Sequence, residues 1–276
     1  MNDRVYSPRL GRAFAKGRPA LVVYLMAGYP DRAGSLAALH AVAAAGADLI
    51  EIGVPYSDAL ADGPLIVRAA NAARQAAKGG FGLPHAISLA EEFRAGAGAD
   101  APPIALMTYA NPLHHMGYEA AATRMREAGI DGVIIPDMPT SVAGPWLEAA
   151  AGLDAAPGLE SAPGLDTVFL AAPTSTLARL DEIGRMSSGF VYCVSTTGIT
   201  GERVELPREI EATVNRVRQH TALPVAVGFG ISSPEHAADV ARIADGVIVG
   251  SAAVRRQDDL PALTEFVARL ASAVHA

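Results

Sequence analysis

The chain has 276 residues, 50% of them hydrophobic, enough for one large core, and barrels of alternating strands and helices reach ~250 residues as a single domain. Its formal net charge is −7 and no basic run is longer than Arg255-Arg256, which argues against a nucleic-acid partner, since phosphate backbones demand concentrated Lys and Arg. One cysteine, Cys193, excludes an intrachain disulfide, no apolar run approaches the ~20 residues of a membrane span, and residues 1–16 lack a signal peptide's apolar stretch, so a soluble cytoplasmic protein is expected.

Strands are predicted at 21–26, 48–54, 103–109, 132–137, 168–172, 190–195, 224–228 and 246–250. Most are unbroken Val/Ile/Leu-type runs, as parallel strands covered by helices require. Helical stretches at 35–45, 65–78, 119–128, 143–150, 175–186, 208–220, 234–243 and 260–274 alternate with them. Ser233 before Pro234, with Glu235 following, is a helix-start signal. Eight strands alternating with eight helices over 1–276 predict one (β/α)8 barrel domain, with a doubly wound open sheet as the alternative. Residues 152–166 (GLDAAPGLESAPGLD) repeat Ala-Pro-Gly-Leu-Glu/Asp, and their Pro and Gly content predicts a loop insertion on the bottom face.

In such a barrel, catalytic groups stand at the C-terminal ends of the strands. The second strand and its loop read EIGVPYSDALADGP over 51–64. Alternation turns Ile50, Ile52 and Val54 toward the helices, and Leu49, Glu51 and Gly53 into the barrel. A charge buried there is costly unless paired or neutralised, and the nearby sequence holds no obvious cation. Glu51 is therefore expected to titrate well above the usual carboxylate range, as suits a group that both gives and takes protons. The plainer reading is a glutamate held in a buried hydrogen-bond network. Asp62 alone reads as a capping or solvated aspartate; its place eleven positions past Glu51, in the loop that follows the strand, makes it a second catalytic candidate.

Gly-rich turns follow strands seven and eight: Gly228-Phe229-Gly230-Ile231-Ser232-Ser233 and Gly250-Ser251-Ala252. Turns at these two positions form the recurring barrel phosphate site, where backbone N–H groups receive the anion. The loop at 195–207, opening Ser195-Thr196-Thr197-Gly198-Ile199-Thr200-Gly201-Glu202, is polar and glycine-punctuated, as a lid over the mouth would be.

Missing residues narrow the chemistry further. The only lysines are Lys16 and Lys78, neither at a strand end, so Schiff-base aldolase chemistry lacks its nucleophile. His114-His115, predicted in a loop, is poor metal-ligand spacing, and no metal is expected. Cys193 reads as a small buried hydrophobe. Two carboxylates beside a phosphate site remain, and if they break a C–C bond the substrate must supply the electron sink.

These motifs resemble those of one family, the tryptophan synthase α subunits. Residues 51–64 resemble its strand-2 signature, which usually carries Pro where Ala59 stands. Leu25-Met26-Ala27-Gly28-Tyr29-Pro30, Tyr109-Ala110-Asn111-Pro112, Ile135-Pro136-Asp137-Met138-Pro139, Thr197-Gly198-Ile199-Thr200-Gly201 and the two glycine turns are similar to further motifs of the family, in register from about 20 to 254. The resemblance implies retro-aldol cleavage of indole-3-glycerol phosphate to indole and glyceraldehyde 3-phosphate. In it Glu51 is the proton donor and acceptor, and ionised Asp62 accepts the ring N–H. It implies an apolar slot for indole from Tyr24, Met107, Ile134 and Phe229, with Tyr192 near Glu51, and phosphate held by Gly201, Gly230, Gly250 and Ser251. It implies no cofactor in this chain, and a pyridoxal-phosphate β subunit as partner in an α2β2 heterotetramer, facing Asp58-Ala59 and the loop after strand three. The departure at Ala59 bears on that contact, since losing Pro loosens the unfolded loop.

A stand-alone lyase releasing free indole would show the same site residues. Indole-3-glycerol phosphate synthase shares the phosphate turns but wants a lysine at a strand end. A catalytically idle regulatory subunit, or a phosphometabolite-binding module, would leave the Glu51–Asp62 pair without a purpose.

Overall fold

The computed structural model describes residues 7–76, 80–98, 100–152, 164–194, 210–228 and 230–276. Its strands are β1 (Ala20–Met26), β2 (Leu49–Gly53), β3 (Ile104–Met107), β4 (Gly132–Ile134), β5 (Asp166–Val168), β6 (Leu170–Ala171), β7 (Val191–Val194), β8 (Val225–Gly228) and β9 (Gly246–Val249). All pair in parallel, in the order β5-β4-β3-β2-β1-β9-β8-β7-β6. The two ends of this order are one extended segment, because only Phe169 separates β5 from β6. β5 bonds β4 on one side while β6 bonds β7 on the other, and the Phe169 carbonyl accepts the Tyr192 N–H at 3.2 Å. The predicted fifth strand is thus the stave that closes a (β/α)8 barrel, changing partners at Phe169.

Strand alternation sorts the core into two layers. Val23, Leu25, Ile50, Ile52, Leu106, Val133, Cys193, Val227 and Val247 pack outward against the helices. Val22, Leu49, Ala105, Ile134, Val168, Tyr192, Ala226 and Ile248 fill the barrel. The 3-10 turn Leu10–Phe14 plugs its lower end, with the Phe14 ring 5.2 Å from that of Phe190.

Three aspartates just before strands secure that lower face. Each carboxylate accepts the N–H of the neighbouring strand's first residues: Asp48 from Leu21 at 2.9 Å, Asp131 from Ile104 at 2.8 Å, Asp245 from Val225 at 2.8 Å. These side chains stand in for a strand partner where the ladder has run out, so none of these three buried amides is orphaned. Cations neutralise each one: Lys16 and Arg18, both at 2.8 Å, for Asp48, Arg94 for Asp131, and Arg218 at 3.1 Å for Asp245.

Between β2 and β3 lie two helices where the sequence predicts one. Pro64–Ala76, predicted as 65–78, sets Ile66, Ala69 and Ala70 against Tyr24, Met26 and Val254 at the upper end. The helix against the barrel wall is Leu83–Gly96, with Leu83, Ala86, Ile87, Ala90 and Phe93 at helical spacing; Pro84 in its first turn reads as a breaker in sequence but is well placed there. His114 and His115 lie in a short helix, Ala110–Met116, not in a loop. The remaining predicted helices form with ends shifted by up to three residues, except Leu260–Val274, which matches its prediction. Of the 152–166 insertion, residues 153–163 lie outside the described residues, and Asp166 belongs to β5 rather than to the loop. Ser233 caps Pro234–Ala241 through the His236 N–H at 3.3 Å. No described helix is long and apolar enough to cross a membrane.

Candidate active site

Glu51 points into the barrel, 1% exposed, in register with Tyr24 of β1 and Ala105 of β3. Among the described residues its Oε2 has no hydrogen-bond partner. Burial, and then the negative charge of Asp62, push the Glu51 carboxyl up to about 8. At neutral pH it is mostly the neutral acid, the form that burial without a cation favours.

Asp62 is half-buried in the loop after β2. Burial raises its carboxyl to about 6, and a hydrogen bond from the Tyr109 phenol works the other way. Both acids are thus raised, Glu51 further than Asp62, and such a difference is how two carboxyls in one site take different roles. The Tyr109 oxygen also accepts the Ala61 N–H at 3.2 Å, so one side chain holds both the carboxylate and its backbone. Tyr56 stacks on Tyr109 with ring centroids 5.2 Å apart and takes a hydrogen bond from Asn111 at 3.0 Å.

Two further tyrosines wall the cavity. Tyr24 and Tyr192 are buried, and their phenols are held protonated by burial together with the charges of Glu51 and Asp62. Each ring lies over a glycine. A Cβ on Gly53 would fall 2.0 Å from the Tyr24 hydroxyl, and one on Gly228 would fall 2.3 Å from that of Tyr192. Met107 and Ile134, adjacent on β3 and β4, complete an apolar wall facing inward.

At the ends of β8 and β9 the chain turns through Gly230, which has φ +86°, and through Gly250 into the short helix Ser251–Val254. The first return hydrogen bonds of that turn run from Ala253 and Val254 to the Gly250 carbonyl, at 2.9 and 3.0 Å. The predicted Phe229 and Gly201, and the predicted lid over 195–207, lie outside the described residues.

Comparison with known proteins decides the family. The profile of the family described as Tryptophan synthase alpha chain matches residues 10–274. The chain belongs to the tryptophan synthase alpha chain family. The alpha chain of Phenylobacterium zucineum is 46% identical over 248 residues, 89% of this chain and 83% of that one. The alpha chain of Chloroflexus aurantiacus is 42% identical, covering 92% and 91%. Among solved structures, a Mycobacterium tuberculosis tryptophan synthase chain superposes with a TM-score of 0.86 at 38% identity, over 99% of this chain and all (100%) of that one. A mutant alpha subunit from Pyrococcus furiosus superposes at 0.79 with 34% identity, covering 92% and 98%.

As a member of the tryptophan synthase alpha chain family, the chain is a carbon–carbon lyase of tryptophan biosynthesis that cleaves indole-3-glycerol phosphate. The structure brings Glu51, Asp62, Tyr24, Tyr192, Met107 and Ile134 to one end of one barrel, with Gly250 and Ser251 at the end of the strand beside β1. Sequence reading missed Tyr109 as a site residue, although its motif was in view: nothing in the linear order puts its phenol on Asp62. Cys193, buried outside the barrel, has its thiol pushed up to about 12 by burial, which disfavours the thiolate. Among the described residues no cluster of three or more His, Cys, Asp or Glu could hold a metal ion.

Proposed function

We propose that Glu51 and Asp62 divide the work of the retro-aldol cleavage, in one (β/α)8 barrel domain. The observation that carries this reading is the Glu51 carboxyl buried in the barrel beside Asp62, raised by that burial and by the Asp62 charge, while the Tyr109 phenol holds Asp62 toward its ionised form. Glu51 as neutral acid protonates indole C3, leaving a cationic ring that withdraws electrons from the bond joining C3 to the glycerol unit. That bond breaks as the adjacent hydroxyl becomes an aldehyde, and its proton passes to the Glu51 carboxylate, restoring the acid. Ionised Asp62 accepts the ring N–H and offsets the positive charge that develops there. Tyr24, Met107, Ile134 and Phe229 form the slot for the indole ring, with Tyr192 beside Glu51. Gly201, Gly230, Gly250 and Ser251 hold the phosphate through N–H groups and a hydroxyl.

The proposed partner is a β subunit that receives the indole, in an α2β2 heterotetramer. The loop after β2 supports this surface: Asp58 and Ala59 adjoin Leu60, an apolar side chain 82% exposed. Pyridoxal phosphate belongs to that partner. A Schiff base needs a free lysine amine, but Lys16 is bound to Asp48 at the far end of the barrel, and Lys78 lies outside the described residues.

Indole release from indole-3-glycerol phosphate, by the wild type and Glu51→Gln with and without a β subunit, tests the reading. Slow release alone, stimulation by the partner and a loss of about a thousandfold in the variant are expected. A variant that keeps its rate would remove Glu51 from the chemistry, and release indifferent to the partner would point to a stand-alone lyase.

A further inference from the structure

Gln257 is 1% exposed, on the connection between the short helix Ser251–Val254 and the helix Leu260–Val274. Its carboxamide oxygen accepts the Met26 N–H at 2.9 Å, and its amide nitrogen donates to the carbonyls of Met26 and Tyr29, both at 2.8 Å. A buried glutamine with three bonds to one stretch of backbone is replacing something.

The ladder shows what it replaces. In a parallel sheet, successive residues of a strand bond alternately to the two neighbours. The Ala20 N–H of β1 reaches Asp245, at the β9 side, and the Ala27 N–H reaches Gly53, on the β2 side. Met26 has the parity of Ala20, so its N–H and C=O face β9. The β1–β9 pairing ends at Val23 and Val249, because β9 leaves the sheet at Gly250 and enters its short helix. Without Gln257, the Met26 N–H would be buried with no strand beside it, which costs free energy, while its carbonyl would be left with the Tyr29 N–H at 3.3 Å and the Ser35 hydroxyl at 3.5 Å. The carboxamide matches the missing strand's donor and acceptor. It also ties the segment just beyond Ser251 to the end of β1, two residues past Tyr24. A second tie joins the same segments: the Tyr29 hydroxyl donates to Asp258 at 3.2 Å.

We propose that Gln257 is a positioning residue for the phosphate end of the substrate, its carboxamide substituting for a strand partner of Met26 so that β9 can turn away at Gly250 and hold Ser251 at a fixed distance from Tyr24. This rests on the placing of phosphate at Gly250-Ser251 in the preceding subsection. Gln257 touches neither the indole slot nor the carboxylates, so its removal loosens phosphate binding and leaves the proton transfers in place.

The test is Gln257→Met, which keeps the volume and removes the amide. It is assayed with a β subunit on indole-3-glycerol phosphate and on the same compound lacking its phosphate, with inorganic phosphate as competitor. The expected result is a rise of about tenfold in KM for the phosphorylated substrate and in the inhibition constant of phosphate. Expected alongside are kcat within about threefold and kcat/KM for the dephosphorylated substrate little changed. Equal losses on both substrates, or an unchanged KM and phosphate inhibition, would overturn the proposal. If Gln257→Met does not fold, Gln257→Asn, shorter by one methylene, is read in the same assays against the same outcomes. Failure of the functional reading itself looks different, since the wild type would then release no indole.

Discussion

The Tyr109 phenol donates to the Asp62 carboxylate and accepts the Ala61 N–H at 3.2 Å, so a residue just past β3 fixes both the charge and the backbone of the loop that follows β2. The bond to Asp62 favours its ionised form. Tyr109→Phe removes it, and the Asp62 pKa should move up from about 6. Indole release at pH 7 should fall roughly tenfold, with the acid side of the pH–rate profile displaced upward. An unchanged profile would show that Tyr109 only fills space.

The pH dependence of kcat/KM follows from the two carboxyls. Activity requires Asp62 ionised and Glu51 protonated, so the rate should rise as pH passes about 6 and fall as it passes about 8. The two groups interact, so the limbs report the pair. Glu51→Gln should abolish the alkaline limb in whatever activity remains.

Stability carries the opposite mark of Glu51. Its folded pKa of about 8 lies above its ordinary 4.5, so between those values the folded state binds more protons than the unfolded one. Stability contributed by this group therefore falls as pH rises across that window. Glu51→Gln, with nothing to ionise, should be more heat-stable than wild type at pH 8, and the difference should shrink toward pH 5. Thermal unfolding at both pH values decides this; a difference independent of pH would place the strain elsewhere.

At the lower face, Asp48 has the reverse sign. Burial works to raise its carboxyl, but hydrogen bonds from Arg18, Lys16 and the Leu21 N–H outweigh it and hold the group at about 2. Its stabilisation is present above the unfolded pKa near 3.8 and is lost as pH falls toward 2. Asp48→Asn should cost about 3 kcal/mol in urea unfolding near neutrality, because Lys16 and Arg18 lose their counter-charge while the Leu21 amide loses its charged acceptor. Indole release by the folded fraction should be unchanged, since the site is at the other end of the barrel.

Gly53 and Tyr24 form a matched pair. Gly53→Ala would set a methyl 2.0 Å from the Tyr24 hydroxyl, so the ring must leave its place. A loss of at least about tenfold in kcat/KM is expected, together with partial recovery in the double variant Gly53→Ala, Tyr24→Leu. Additive losses would show that the two positions do not share one space.

The sequence by itself determined the alternation of strands and helices, the inward direction of Glu51 and the family. Each depends on local order: period-two alternation aims every second side chain, and a contiguous motif at 51–64 needs no folding to be read. The second helix between β2 and β3 was legible too, in the stripe from Leu83 to Phe93, had Pro84 been read as a first-turn residue. What only the tertiary structure decided are relations between distant residues. Phe169 marks where one strand changes neighbours, a choice that depends on where β4 and β7 stand. The Tyr109–Asp62 bond spans two loops, and the clasp of Gln257 on Met26 spans 231 positions of sequence. Closing the barrel brings the last stave against the first, and hydrogen bonds reaching across that seam leave no periodicity in the sequence from which they could be read.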